Sequence, residues 1–155
     1  MKICFSSDHN GLELKNRLVE YFSNSKYEII DLGPKKFDPN DDYPDSAILV
    51  AQGISLNDFD KGIIICGSGV GASIAANKVP GVRAAICHDS YSASQGVEHD
   101  DMNVLCLGSK IVDFNQSVEL VEKFLSAKFS KEHRFHRRLK KVLKIENDLN
   151  NYFNE

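Results

Sequence analysis

Gly62-Ile63-Ile64-Ile65-Cys66-Gly67-Ser68-Gly69-Val70-Gly71-Ala72-Ser73-Ile74-Ala75-Ala76-Asn77 is the stretch on which the fold turns. Its first five residues form a strand-sized apolar run, three alternating glycines follow, and the hexapeptide from Ala72 favours helix. Similar β-rich runs recur at Ile3 to Phe5, Tyr27 to Leu32, Val82 to Cys87 and Val104 to Leu107, so five short strands are expected. Helical spacing appears between and after them, in Leu14, Leu18, Tyr21 and Phe22 and again in Phe114, Val118, Val121 and Leu125. Strands alternating with helices imply a parallel sheet covered on both faces. Gly33-Pro34 and Pro39 to Pro44 read as connections, with Asp38, Asn40, Asp41 and Asp42 supplying turn chemistry. A last helix is expected from about His133, with Leu139, Val142, Leu143 and Leu149 as its apolar stripe. Such a tail can pack on a partner subunit or on its own chain.

The chain has 155 residues, which as a prior is one domain burying about 70% of its unfolded surface. With 42% hydrophobic and 26% charged residues, neither a disordered nor a fibrous chain is expected. The net charge of -3 hides an asymmetry: Lys128 to Lys144 holds eight Lys and Arg against the single acid Glu132, so that stretch carries +7 and the remainder -10. The average argues against a protein whose whole surface grips nucleic acid, yet a local anion site stays open. No apolar run approaches the roughly 18 residues of a membrane span, and Met1-Lys2-Ile3-Cys4-Phe5 runs straight into the first strand without the features of a signal peptide. Cys4, Cys66, Cys87 and Cys106 show neither C-x-x-C nor zinc-like spacing. A reducing cytoplasm is the expected compartment.

In an open parallel sheet, ligands bind beyond the carboxyl ends of the strands. That rule singles out Ser6 to Gly11, Cys66 to Gly71 and Cys87-His88-Asp89, and places most of the candidate chemistry along one edge. Gly67, Gly69 and Gly71 allow consecutive N–H groups to face one concavity, suited to a phosphate or an oxyanion. The same glycines also suit a tight strand-to-helix turn without ligand, or a dinucleotide loop with Asp89 on a ribose. Cys66 adjoins the loop, where a thiolate is favoured and can act as base or nucleophile; Cys4, Cys87 and Cys106 read as small buried hydrophobes. Asp8-His9 and Glu98-His99-Asp100-Asp101 are titratable clusters near loops, without metal-ligand spacing. Arg134 and Arg138, four apart, share one helix face suited to phosphate, and only Phe135 interleaves an aromatic platform of the kind nucleic acid would need.

These pieces resemble type B ribose-5-phosphate isomerase, a family that includes galactose-6-phosphate isomerase subunits. The resemblance covers about residues 1 to 145 and rests on Ser7-Asp8-His9-x-Gly11, Asp42-Tyr43-Pro44, Ile65 to Gly71, Ile74-Ala75-Ala76-Asn77-Lys78, His99-x-Asp101-x-Asn103-Val104, Leu107-Gly108 and Arg134-x-x-x-Arg138. It implies a Rossmann-like three-layer α/β sandwich with a five-stranded parallel sheet, as one isomerase domain over 1–155 with 130–155 a helical tail. The implied reaction moves a proton between C1 and C2 of an open-chain phosphosugar through a cis-enediolate, with no metal or organic cofactor. By the resemblance Cys66 is the carbon base with Ser68 beside it, and Gly67 and Gly71 offer N–H groups to the enediolate. His99 opens the furanose, Asp8 shuttles hydroxyl protons, Tyr43 lines the sugar site, and His9, Arg134 and Arg138 grip the phosphate. Ala72, where some relatives carry a glutamate, assigns the chain to the cysteine-base branch.

Three positions depart from the family pattern. Asp100 replaces an Asn, turning an amide donor to the enediolate into a carboxylate; Lys110 replaces an Arg that reaches a neighbouring subunit's phosphate; Phe135 replaces a His. The resemblance further implies a homodimer or homotetramer with active sites shared between chains, and a phosphosugar rather than nucleic acid or membrane as partner. Ribose 5-phosphate is the expected substrate. Allose 6-phosphate, galactose 6-phosphate and a non-catalytic phosphosugar-binding subunit are the alternatives.

Overall fold

The structure is a computed structural model that describes residues 1–148, so Leu149 of the expected tail stripe lies outside the described residues. Five strands form one parallel sheet: β1 (Lys2–Ser7), β2 (Glu28–Asp31), β3 (Lys61–Cys66), β4 (Ala84–Ile86) and β5 (Val104–Gly108), in the order β2-β1-β3-β5-β4. All five expected strands are present. Among the described residues six helices accompany them: α1 (Leu12–Phe22), α2 (Tyr43–Ser55), α3 (Val70–Ala76), α4 (Ser90–Asp100), α5 (Phe114–Ser126) and α6 (His133–Asn147).

The period-two alternation of strand side chains builds the layers. Ile3, Phe5, Ile63, Ile65, Leu105 and Leu107 face one side, packing on Leu14 and Leu18 of α1, Val97 of α4, and Leu120 and Phe124 of α5. Cys4, Ile64, Cys66, Val104 and Cys106 face the other, against Ala47, Val50 and Ala51 of α2 and Ala72 and Ala76 of α3. The result is the three-layer sandwich that the alternating pattern implies. Helix α2 begins inside the stretch read as a connection: Tyr43 is its first residue, and Pro44 sits in the first turn, where a missing N–H costs nothing.

Two lysines, Lys15 buried and Lys61 half-buried, tie loops to this frame. Lys15, with no exposed side-chain surface, donates to both Asp31 carboxylate oxygens at 2.7 and 2.8 Å and to the Pro34 carbonyl at 2.8 Å. Burial holds the Lys15 ammonium below its ordinary pKa, although Asp31 opposes the shift. Burial pushes the Asp31 carboxyl up, but hydrogen bonds from Lys15, Lys35 and the Gly33 N–H outweigh it and leave it below the usual range. Lys15→Met is therefore expected to lower stability by about 2 kcal/mol, read as a lower urea midpoint, because Asp31 keeps only Lys35 and Gly33. Lys61 donates to the Phe124 and Ala127 carbonyls at the end of α5, and burial brings its pKa down to about 8.

Strand order positions the site. From β1 the chain moves to β2 on one side and then to β3 on the other, which makes the crevice between the carboxyl ends of β1 and β3 a topological switch point.

Candidate active site

Cys66 ends β3 on the α2/α3 side of the sheet, 5% exposed, and its sulfur accepts the Gly69 N–H at 3.1 Å. That bond needs the loop to double back, and Gly69 does so at φ 82°, in the left-handed region that suits glycine. An N–H aimed at sulfur is the contact a thiolate takes up. The other three cysteines are free and buried as expected. Burial raises Cys4 to about 12, Cys87 to about 11 and Cys106 further still.

The remaining residues of this end converge by backbone bonds. The Asp8 N–H donates to the Ile65 carbonyl at 3.2 Å, and the Asp8 carboxylate accepts the Gly11 N–H at 3.0 Å, which caps the turn into α1. After β5, the Ser109 N–H donates to the Cys66 carbonyl and the Lys110 N–H to the Gly67 carbonyl, at 2.8 and 3.1 Å. Asn10 and the Lys110 stem both approach Gly67. The far end of the Tyr43 ring lies against Gly71, where a Cβ would stand 2.6 Å from Cζ. Ser68 is exposed at the loop tip.

His9 carries a partner that no spacing in the sequence reveals. Its backbone N–H and its Nδ1 both meet one oxygen of Asp41, at 3.0 and 2.6 Å, and Asn10 Nδ2 lies 2.8 Å from Nε2. The hydrogen bond to Asp41 raises the His9 pKa above its ordinary 6.5, with burial opposing and the nearby Asp8 carboxylate assisting. His9 thus keeps positive charge to higher pH beside Lys110, an arrangement suited to an anion.

His99, Asp100, Arg134 and Arg138 lie elsewhere, away from the edge to which the strand-end rule assigned most of the candidate chemistry. Helix α4 runs back from the carboxyl end of β4 to the amino end of β5, so its last turn, with His99 and Asp100, stands at the opposite end of the sheet. Cys66 pairs with Gly108 and Gly62 with Val104, so the two ends are separated by four strand steps, roughly 13 Å at 3.3 Å each. Asp101, in the left-handed conformation at φ 53°, closes α4 and receives Arg83 Nη2 at 2.7 Å. His99 is a helical residue, in the last turn of α4.

Helix α6 joins this second cluster. Its buried Phe135 stacks on the His99 ring with centroids 3.9 Å apart, while the Arg134 guanidinium lies 4.5 Å and the Arg138 guanidinium 5.9 Å from the same phenyl ring. Beyond Phe135 the tail packs loosely on its own chain: Glu146 accepts the Gly81 N–H at 2.7 Å, but Val142 is 50% and Ile145 39% exposed, and a cavity of about 550 Å³ remains between Leu139, Val142 and Leu143 and the amino end of β4. Val70, Ile74 and Ile111 are likewise exposed around the glycine loop. Among the described residues no cluster could hold a metal, and no helix is long and apolar enough to cross a membrane.

The chain therefore carries a thiol, His9 and Lys110 at one end of the sheet, and an imidazole with two arginines at the other. Known proteins share both the sequence and the architecture. A sequence model described as Ribose/Galactose Isomerase matches residues 3–142. A protein of Mycoplasma pneumoniae called probable ribose-5-phosphate isomerase B is 44% identical over 146 residues, covering 94% of this chain and 95% of its own. The crystal structure of ribose-5-phosphate isomerase B from Mycoplasma genitalium with bound ribulose-5-phosphate superposes with a TM-score of 0.90 at 44% identity, over 95% of this chain and 97% of that one. Ribose-5-phosphate isomerase B of Clostridium thermocellum gives 0.91 at 41% identity, over 96% and 99%. With the family model spanning residues 3–142 and relatives 44% identical over nearly the whole chain, this chain belongs to the ribose/galactose isomerase family.

Proposed function

We propose that the chain interconverts ribose 5-phosphate and ribulose 5-phosphate in sites completed by a second copy of itself. The observation that carries the reading is the Cys66 thiol at the switch point, held by the Gly69 N–H and flanked by Asp8 and Tyr43, in a chain 44% identical to a ribulose-5-phosphate-bound isomerase. In the forward direction the ring first opens, as the C1 hydroxyl loses a proton and the ring oxygen gains one. His99 relays it. Cys66 as thiolate then removes the C2 proton, and the electron pair forms the C1–C2 double bond of a cis-enediolate with charge on O1. Backbone N–H groups of Gly67 and Gly71 receive that charge. Asp8, with Ser68 nearby, moves the O2 proton to O1, and the thiol returns its proton to C1 to give the ketose. No step calls for a metal or organic cofactor.

Two clusters about a sheet's height apart support the shared site, because one substrate cannot touch both in one chain. The uncovered apolar side chains on α6 and around the glycine loop offer surface for such a contact. In a dimer or a dimer of dimers, Arg134 and Arg138 of one copy then meet His9 and Lys110 of another around one phosphate. Asp100, exposed beside His99, faces the sugar as a carboxylate where a donor amide is usual.

Turnover of ribose 5-phosphate by the purified chain tests the reading, beside allose 6-phosphate and galactose 6-phosphate. The pentose phosphate is expected to give the highest kcat/KM; absence of turnover on all three overturns it. Arg138→Ala is expected to raise KM for ribose 5-phosphate about tenfold with kcat nearly kept, the loss of one charged hydrogen bond. An unchanged KM removes Arg138 from the phosphate site.

A further inference from the structure

We propose that Gln95 and Phe135 are positioning residues for His99, holding its ring so that Nε2 alone is presented to the sugar; the inference rests on the ring-opening role given to His99 above. Gln95 stands four residues before His99 on α4, and its side-chain amide nitrogen lies 2.6 Å from His99 Nδ1. On the ring's face, Phe135 stacks at an interplanar angle of 14°. One ring nitrogen and one face are therefore occupied by the protein itself. Among the described residues Nε2 has no partner, on a ring whose two side-chain torsions are both restrained.

The chemistry of the amide suits a group that must both take and give a proton. Ring opening moves one proton from O1 to the ring oxygen while the C1–ring-oxygen bond breaks and C1=O forms. Nε2 first accepts and then donates that proton, so Nδ1 keeps its own hydrogen throughout. An Nδ1 that keeps its hydrogen needs an acceptor, so the working form has the Gln95 amide turned over, with its oxygen rather than its nitrogen on Nδ1. Phe135 adds a second coupling. Being 2% exposed, it is the one described α6 residue fully buried, and the same ring carries Arg134 and Arg138. Orientation of the proton relay and placement of the arginine pair thus depend on a single aromatic side chain, at the position where the family pattern has His.

Two measurements on the full-length protein separate positioning from fold. The first is kcat from ribose 5-phosphate, which requires ring opening. The second is uptake of solvent deuterium at C1 of ribulose 5-phosphate, an open-chain ketose that reaches the enediolate without a ring step. In Gln95→Leu, kcat is expected to fall about 10- to 100-fold with deuterium uptake kept within about twofold; Phe135→Leu is expected to lower kcat likewise and to raise KM for both sugars through the arginine pair, with uptake at saturating ribulose 5-phosphate kept within about twofold, while Phe135→Tyr, which retains the ring, keeps both. Should Phe135→Leu fail to fold, Gln95→Leu, at a half-buried helix position, still decides the matter. Unchanged kcat, or parallel loss of kcat and deuterium uptake, overturns the proposal. A wild-type chain with neither turnover nor uptake overturns the isomerase reading itself.

Discussion

Cys66→Ala is expected to lower ribulose 5-phosphate formation about 10³-fold while leaving the protein folded. A carbon base contributes on the order of 10² to 10⁴ in rate, and no other thiol can take its place. Burial holds Cys4 at about 12, Cys87 at about 11 and Cys106 higher, and all three lie in the core. The structural cost is small by comparison: the Gly69 N–H loses its acceptor, worth about 1 kcal/mol. Cys66→Ser is expected to behave alike, since a hydroxyl is a far weaker acid than a thiol. Deuterium uptake into ribulose 5-phosphate should vanish with turnover, because the carbon base acts in both. Turnover within tenfold of wild type in Cys66→Ala would remove the base from this residue.

The strands were legible because parallel strands buried on both faces are continuous apolar runs, and Ile63-Ile64-Ile65 is as plain a case as the chain offers. Even β4, only three residues long, lies within the expected Val82 to Cys87. Helix α2 was less legible: the turn-rich segment up to Pro44 runs into it without a break, and proline in a first turn looks the same in sequence as proline in a loop. Two members of the carboxyl-end cluster followed from strand order, since Asp8 comes directly after β1 and Cys66 ends β3, whereas Lys110 was legible only through the family resemblance. His99 shows the limit of that reasoning. It comes before a strand, so an alternating α/β chain puts it at the amino end, and the i, i+4 relation to Gln95 becomes visible only once it is placed on α4. Asp41 has no such signal. Its contact with His9 spans 32 residues and depends on how the loop before α2 folds back over β1.

The separation of the two clusters makes a second large effect expected, from mixing two inactive proteins. In a two-fold dimer with shared sites, Cys66→Ala and His99→Ala chains combine into one doubly damaged site and one intact site. Random exchange of subunits makes about half of the dimers mixed, so activity should rise from near zero to about a quarter of wild type. The gain depends on exchange and should be absent when the two are combined without time or mild denaturant for subunits to trade. Co-expression of the two chains with different affinity tags, followed by isolation of the mixed species, gives the same test at about half of wild type. Recovery of ribose 5-phosphate turnover in that doubly purified species is the result expected from Cys66 of one chain working opposite His99 of the other. Activity no greater than the average of the two parent variants would contradict the shared site.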